Sequence, residues 1–130
     1  MKLLSLNKKS AVVEISVDVE RYTAGPCTLR VFIGGGNTGI ERNVPATSPV
    51  MKLQVQIPDP DLWWPNGYGR QPMYTALISL VQDGQERSQA EVPFALRTVR
   101  LVQERDNEGR SFLFEVNGVR IYCKGADWIP

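Results

Sequence analysis

Apolar and polar residues alternate along most of this chain, and a period of two marks strands half buried on one face. Val13, Ile15, Val17 and Val19 share one face, with Glu14, Ser16, Asp18 and Glu20 on the other. The pattern returns in Leu29, Val31 and Ile33, and in Met51, Leu53, Val55 and Ile57 against Lys52, Gln54 and Gln56. It recurs in Tyr74, Ala76, Ile78 and Leu80, and in Val92, Phe94 and Leu96. Phe112, Phe114 and Val116 run into Asn117-Gly118, after which Val119, Ile121 and Cys123 alternate again. A two-residue Asn-Gly loop between such runs predicts a hairpin, because both residues tolerate positive φ. The best helical candidate, Gln85 to Leu101, contains Pro93, which would remove a hydrogen bond and clash with the preceding turn. In a strand, Pro93 instead predicts an edge position or a bulge. Short strands divided by Gly, Pro and Asn clusters predict an all-β sandwich of about seven strands.

The 130 residues suit one domain, and 42% hydrophobic against 22% charged residues is enough to bury a core. Fifteen basic and 14 acidic side chains leave a net charge of +1, without an electrostatic footprint for nucleic acid or an anionic membrane. The longest apolar run falls far short of the roughly 20 residues a bilayer span needs, which predicts a soluble chain with no membrane partner. Met1 to Ser10 lacks the apolar stretch and small-residue cleavage site of a signal peptide, and the compartment stays unread.

Histidine is absent, which removes the imidazole general base, every Ser-His-Asp or Cys-His arrangement and imidazole metal ligands. Neither a metal nor a cofactor is expected. Cys27 and Cys123 lie almost the full chain apart, beside alternating apolar residues, and read as two buried thiols; the sequence leaves a disulfide between them open. Gly34, Gly36 and Gly39 formally satisfy G-x-G-x-x-G after a strand, but Pro45 and Pro49 follow where a phosphate-binding helix should begin. The glycines therefore read as a connection between strands. Asp59, Asp61, Asp83, Glu86, Glu104, Asp106 and Glu108 sit in polar turns and read as solvated, with no pair set to face one bond.

The most unusual stretch runs from Asp59 to Tyr74 and holds adjacent Trp63 and Trp64, then Asn66-Gly67-Tyr68-Gly69. On an extended strand neighbouring side chains point to opposite faces, so one indole enters the core and the other faces outward. An outward ring could stack on a sugar or dock a neighbouring domain; alternatively both rings cover the end of the core, the commoner fate of large aromatics. At the other end, Trp128 stands beside Asp127 with little chain after it to pack against. This predicts a chain that continues, with Ala126–Pro130 mobile when cut.

From Ile57 onward these residues resemble glycoside hydrolase family 2, in its β-mannosidase branch. Leu62-Trp63-Trp64-Pro65 followed by Gln71-Pro72-Met73-Tyr74 is similar to a motif marking a strand pair of the family's immunoglobulin-like sandwich. Phe94-Ala95-Leu96-Arg97 is similar to the Ile-Gly-Phe-Arg stretch that ends it, with Ala and Leu replacing Gly and Phe. Phe112 to Pro130 resembles a hairpin and then the Lys-Gly-Ala-Asn/Asp-Trp-Ile-Pro segment that opens the catalytic (β/α)8 barrel. The resemblance implies a sandwich domain over residues 1–101. Residues 102–130 would form a hairpin and first strand leading into an absent barrel. It further implies a retaining exo-glycosidase that hydrolyses terminal β-mannosides with two barrel glutamates, neither in this chain. Asp127 and Trp128 would line the sugar pocket, and Trp63, Trp64 and Tyr68 would form an interdomain or aromatic surface. The partners implied are a carbohydrate substrate and neighbouring domains of the same chain, and the fragment alone would be inactive. An exo-β-glucosaminidase or β-galactosidase is the related alternative. A free-standing carbohydrate-binding or interaction sandwich, using Trp63, Trp64 and Tyr68 as a platform, is the alternative from another class.

Overall fold

The computed structural model describes residues 1–20, 24–105 and 107–125. Its strands are β1 (Lys2–Leu6), β2 (Ser10–Asp18), β3 (Cys27–Gly35), β4 (Thr38–Pro45) and β5 (Val50–Pro58). They continue with β6 (Tyr74–Gln82), β7 (Gln85–Phe94), β8 (Val99–Val102), β9 (Leu113–Val116) and β10 (Val119–Ile121). All pairings between these strands are antiparallel. One sheet has the order β1-β2-β5, a second β4-β3-β6-β7, and a small third sheet β10-β9-β8.

The first two sheets close into an all-β, immunoglobulin-like sandwich because their alternate residues form one apolar layer. Register places Ala11 opposite Ile57 and Val13 opposite Val55 on one sheet, and Val31 opposite Ile78 and Ile33 opposite Ala76 on the other. These side chains, with Ile15, Leu29, Tyr74 and Leu96, make up the buried core. Each full burial of such an aliphatic group contributes about 1.5–3 kcal/mol. The alternation read in β2, β3, β5 and β6 therefore points inward as expected. Tyr74 stacks on Phe94 at 5.5 Å between ring centroids, and Leu96 seals the same core from beyond the end of β7.

Pro93 falls in β7, the edge strand, opposite Thr75. There its missing N–H breaks no ladder. The Asn117-Gly118 hairpin forms with φ of 52° and 80°, and Asp83-Gly84 makes an equivalent turn between β6 and β7 with 53° and 72°. The glycine-rich stretch is the β3–β4 hairpin rather than a phosphate loop. The expected sandwich boundary after Leu101 falls inside β8, which pairs with β9 and with no sandwich strand. Both cysteines are free: Cys27 is buried, but Cys123 is exposed, correcting the expectation of two buried thiols. It lies past the last residue of β10, where no second layer covers it. Ala126–Pro130 and Asp106 lie outside the described residues.

Leu96 is 1% exposed, and its side chain is held by packing in the core. Leu96→Ala should therefore lower unfolding free energy by about 2–5 kcal/mol in urea titrations. A second expectation concerns Tyr74, whose hydroxyl is pushed above its ordinary pKa of 10.0 by burial, and further by the nearby Asp61 carboxylate. The unfolded chain then ionises first, so this stabilisation is complete below pH 10 and is lost as pH rises through the folded value. The stability gap between the wild type and Tyr74→Phe, measured by denaturation, should shrink above pH 10.

Candidate functional site

Between β5 and β6 the backbone follows no ladder, because Pro60, Pro65 and Pro72 remove donors and Gly67 and Gly69 loosen the chain. Pro65 to Tyr68 is a turn closed by the Tyr68 N–H donating to Pro65 O at 3.0 Å, with Gly67 at φ 84°. That sign of φ at the third turn residue is the type II requirement that favours glycine. Trp63 and Trp64 are consequently not on a strand. Both are half-buried, and the expected division into one inward and one outward ring is not found. The motif expected to mark a strand pair is instead an irregular connection that reaches β6 only at Tyr74.

This connection is tied to the sandwich at its start. The Asp61 N–H donates to Tyr74 Oη at 2.8 Å, and the Asp61 carboxylate accepts from Arg70 Nη2 at 3.2 Å. Gly36 of the β3–β4 turn packs against it: a Cβ there would stand 2.8 Å from Asp61 Oδ2. The Trp63 N–H donates to Leu96 O at 2.9 Å, and the Trp64 N–H to Arg70 O at 3.0 Å. Gly69 leaves room for the Trp64 indole, 2.9 Å from where its Cβ would be.

The same connection also holds the third sheet. Asn117 donates from Nδ2 to Trp63 O at 2.9 Å while its Oδ1 accepts from the Thr98 N–H at 2.9 Å. The guanidinium of Arg97 lies 4.3 Å from the centre of the Trp63 ring, a cation–π contact. Tyr68 Oη accepts from the Tyr122 N–H at 2.9 Å, although the Tyr68 residue is 41% exposed. Trp63 and Tyr68 thus touch elements on both sides of Leu96, and Trp64 turns back on its own loop. Asn117 and Arg97 are neighbours of Trp63 that the alternation pattern did not single out. The hairpin signal located Asn117 but gave no hint of its partner.

The turn carboxylates have ordinary surface partners. Asp83 faces Arg87 at 4.0 Å, Glu104 faces Arg120 at 3.5 Å, and Glu86 accepts from Gln89 at 3.3 Å. Such exposed pairs contribute little, with a median of about 0–1 kcal/mol. No cluster of metal-binding side chains occurs among the described residues. Asp127 and Trp128, the expected sugar-pocket residues, lie outside the described residues.

Comparison with known proteins adds relatives to this geometry. β-Mannosidase B of Aspergillus clavatus is 46% identical over 129 residues, spanning 98% of this chain and 15% of the relative. The Aspergillus fumigatus β-mannosidase B is 35% identical over 130 residues, with the same coverage. Among solved structures, the β-D-mannosidase of Dictyoglomus thermophilum superposes with a TM-score of 0.82 at 29% identity, over 99% of this chain and 16% of that one. The Amycolatopsis orientalis exo-chitosanase CsxA shares the fold, with a TM-score of 0.68 at 21% identity, over 99% of this chain and 16% of that one. The chain thus spans 15% of the length of these curated relatives. The sequence pattern of glycosyl hydrolases family 2 matches residues 3–97, the stretch that builds both sandwich sheets and ends at the Arg97–Trp63 contact. The chain belongs to glycosyl hydrolases family 2.

Proposed function

We propose that this chain is a non-catalytic unit of a retaining exo-glycosidase that releases terminal β-mannose. The observation that carries the reading is the 46% identity to a β-mannosidase B across 98% of the chain. The exo-chitosanase, at 21% identity, supports the fold and not its substrate. In this reading the sandwich of residues 1–101 leads, through residues 102–130, into a catalytic (β/α)8 barrel. Asp127 and Trp128 reach the sugar pocket, the neighbouring domains are the chain's partners, and the substrate is a carbohydrate.

Retaining hydrolysis needs a carboxylic acid and a carboxylate nucleophile about 5–5.5 Å apart across one bond. Here Asp61, Asp83, Glu104 and Glu115 each face an arginine on the surface. Each of these four is thus paired with a guanidinium rather than set opposite a second carboxylate. The chemistry in this reading therefore belongs to residues outside the chain. The contribution of the chain is mechanical: Trp63, Tyr68 and Asn117 fix the third sheet to the sandwich.

Two outcomes are expected. The full-length protein should cleave a chromogenic β-mannoside while the 130-residue chain gives blank rates; turnover by the chain, abolished by changing one of its own carboxylates, would overturn the assignment. Asn117→Asp keeps a residue that tolerates positive φ and keeps the acceptor for Thr98, but sets an oxygen against the Trp63 carbonyl. It should cost about 1–3 kcal/mol in denaturation, whereas Asn117→Asp at wild-type stability would remove the mechanical role.

A further inference from the structure

Two asparagines in this chain stand directly before a glycine, Asn66 and Asn117. Asparagine is among the chemically labile residues, and a following glycine puts no side chain beside the N–H that its amide can react with. The two pairs therefore share one intrinsic chemistry. The fold treats them differently.

Asn117 is half-buried and held at both ends of its amide. Its Nδ2 donates to Trp63 O at 2.9 Å, and its Oδ1 accepts from the Thr98 N–H at 2.9 Å. Reaction at its Cγ has to turn that amide, which breaks both bonds. Asn66 occupies the second position of the Pro65–Tyr68 turn, at the tip of a loop whose base is closed by the Trp64 N–H and Arg70 O. Asn66 and Gly67 are both exposed. Among the described residues no hydrogen bond engages the Asn66 side chain or the Gly67 N–H. A Cβ added at Gly67 would meet nothing within 4 Å, so the space around this pair is open to water.

We propose that Asn66 is a site of spontaneous covalent modification, converting through a succinimide to aspartate and isoaspartate, and that Asn117 is spared by its two bonds. The Gly67 N–H gives its proton to solvent base, and the nitrogen attacks Asn66 Cγ. A new C–N bond closes a cyclic imide while the bond from Cγ to Nδ2 breaks, and the amide nitrogen leaves as ammonia. Water then adds to one of the two imide carbonyls. Opening at Cγ gives aspartate. Opening at the main-chain carbonyl gives isoaspartate, whose main chain runs through Cγ and is longer by an atom. Either product places a carboxylate in the turn, and isoaspartate lengthens it just ahead of Tyr68, whose hydroxyl receives the Tyr122 N–H. At Asn117 the same steps wait for a local opening, and their rate follows the population of the opened form.

The test is to keep the full-length protein warm at mildly alkaline pH and to sample it over days by tryptic peptide mapping. Trypsin separates the two pairs, since Asn66 falls between Lys52 and Arg70 and Asn117 between Arg110 and Arg120. Mass spectrometry reads the change from amide to acid, and isoaspartyl methyltransferase labelling reads isoaspartate. In the folded protein the Asn66 peptide should convert at least about tenfold faster than the Asn117 peptide, the factor that two ordinary hydrogen bonds impose on opening. In urea the two peptides should convert at comparable rates. Equal rates in the folded protein overturn the proposal, as does an intact Asn66. A difference that persists in urea also overturns it, because the cause is then local sequence and not the fold. Aspartate without isoaspartate removes the succinimide route. Asn66→Gln should abolish conversion of its peptide; conversion that continues there belongs to Gln54 or Gln56 and overturns the assignment.

Discussion

Asn117 holds its backbone at φ 52° and presents both ends of its amide to backbone groups on different parts of the chain. One end receives the Thr98 N–H at the approach to β8, and the other donates to the Trp63 carbonyl in the β5–β6 connection. Together with the bond from the Tyr122 N–H to Tyr68 Oη, these bonds tie the third sheet to the connection that leaves the sandwich. Three short strands gain independent stability only when an apolar face is covered. The placement of the third sheet thus rests on the Asn117 amide, both of whose ends are engaged, together with the Tyr68–Tyr122 bond. Asp at that position tolerates the same turn but carries no donor for Trp63.

The connection that receives Asn117 is itself held by the sandwich. Its Asp61 N–H is fixed by the hydroxyl of Tyr74, whose ring belongs to the core. Its Trp63 N–H is fixed by the carbonyl of Leu96, whose side chain is also in the core. Position is therefore passed from packed rings and aliphatic groups, through short hydrogen bonds, to a loop that has no ladder of its own. Removing core volume under Leu96 would loosen a bond to Trp63 as well as the packing around it.

Much of the sandwich was legible because β2, β3, β5 and β6 each meet the core on one side and water on the other, which writes a period of two into the residues. Edge strands escape that rule. In β4 the centre reads Glu41-Arg42-Asn43, and β7 begins with a polar stretch exposed almost throughout, so neither carries full alternation. Pro93, read as an edge position or a bulge, takes the edge, and Asp83, read only as a turn carboxylate, closes the hairpin before β7 with Gly84. The site was less legible still. Two tryptophans announced an unusual segment, but Trp63 and Asn117 stand 54 positions apart, and no local pattern encodes a bond at that distance. Gly36 is explained locally by its φ of 57° in the β3–β4 turn, whereas its approach to Asp61 Oδ2 is one that only the folded chain creates.

A fold of this kind is shared by proteins with different substrates, so the sandwich by itself says little about chemistry. Its value to a hydrolase lies in tolerance. A displacement of about 1 Å at reacting groups can lower a rate by about a hundredfold, even when the change arises far from them. A sandwich closed by interlocking aliphatic rows yields little to such displacement, because its interior is packed at the density of an organic crystal. The Trp63–Asn117 and Tyr68–Tyr122 bonds carry that stiffness past Leu96 to the last described residues before Asp127 and Trp128. The same rows that bury Val31 and Ile57 therefore help set where the segment after the third sheet begins.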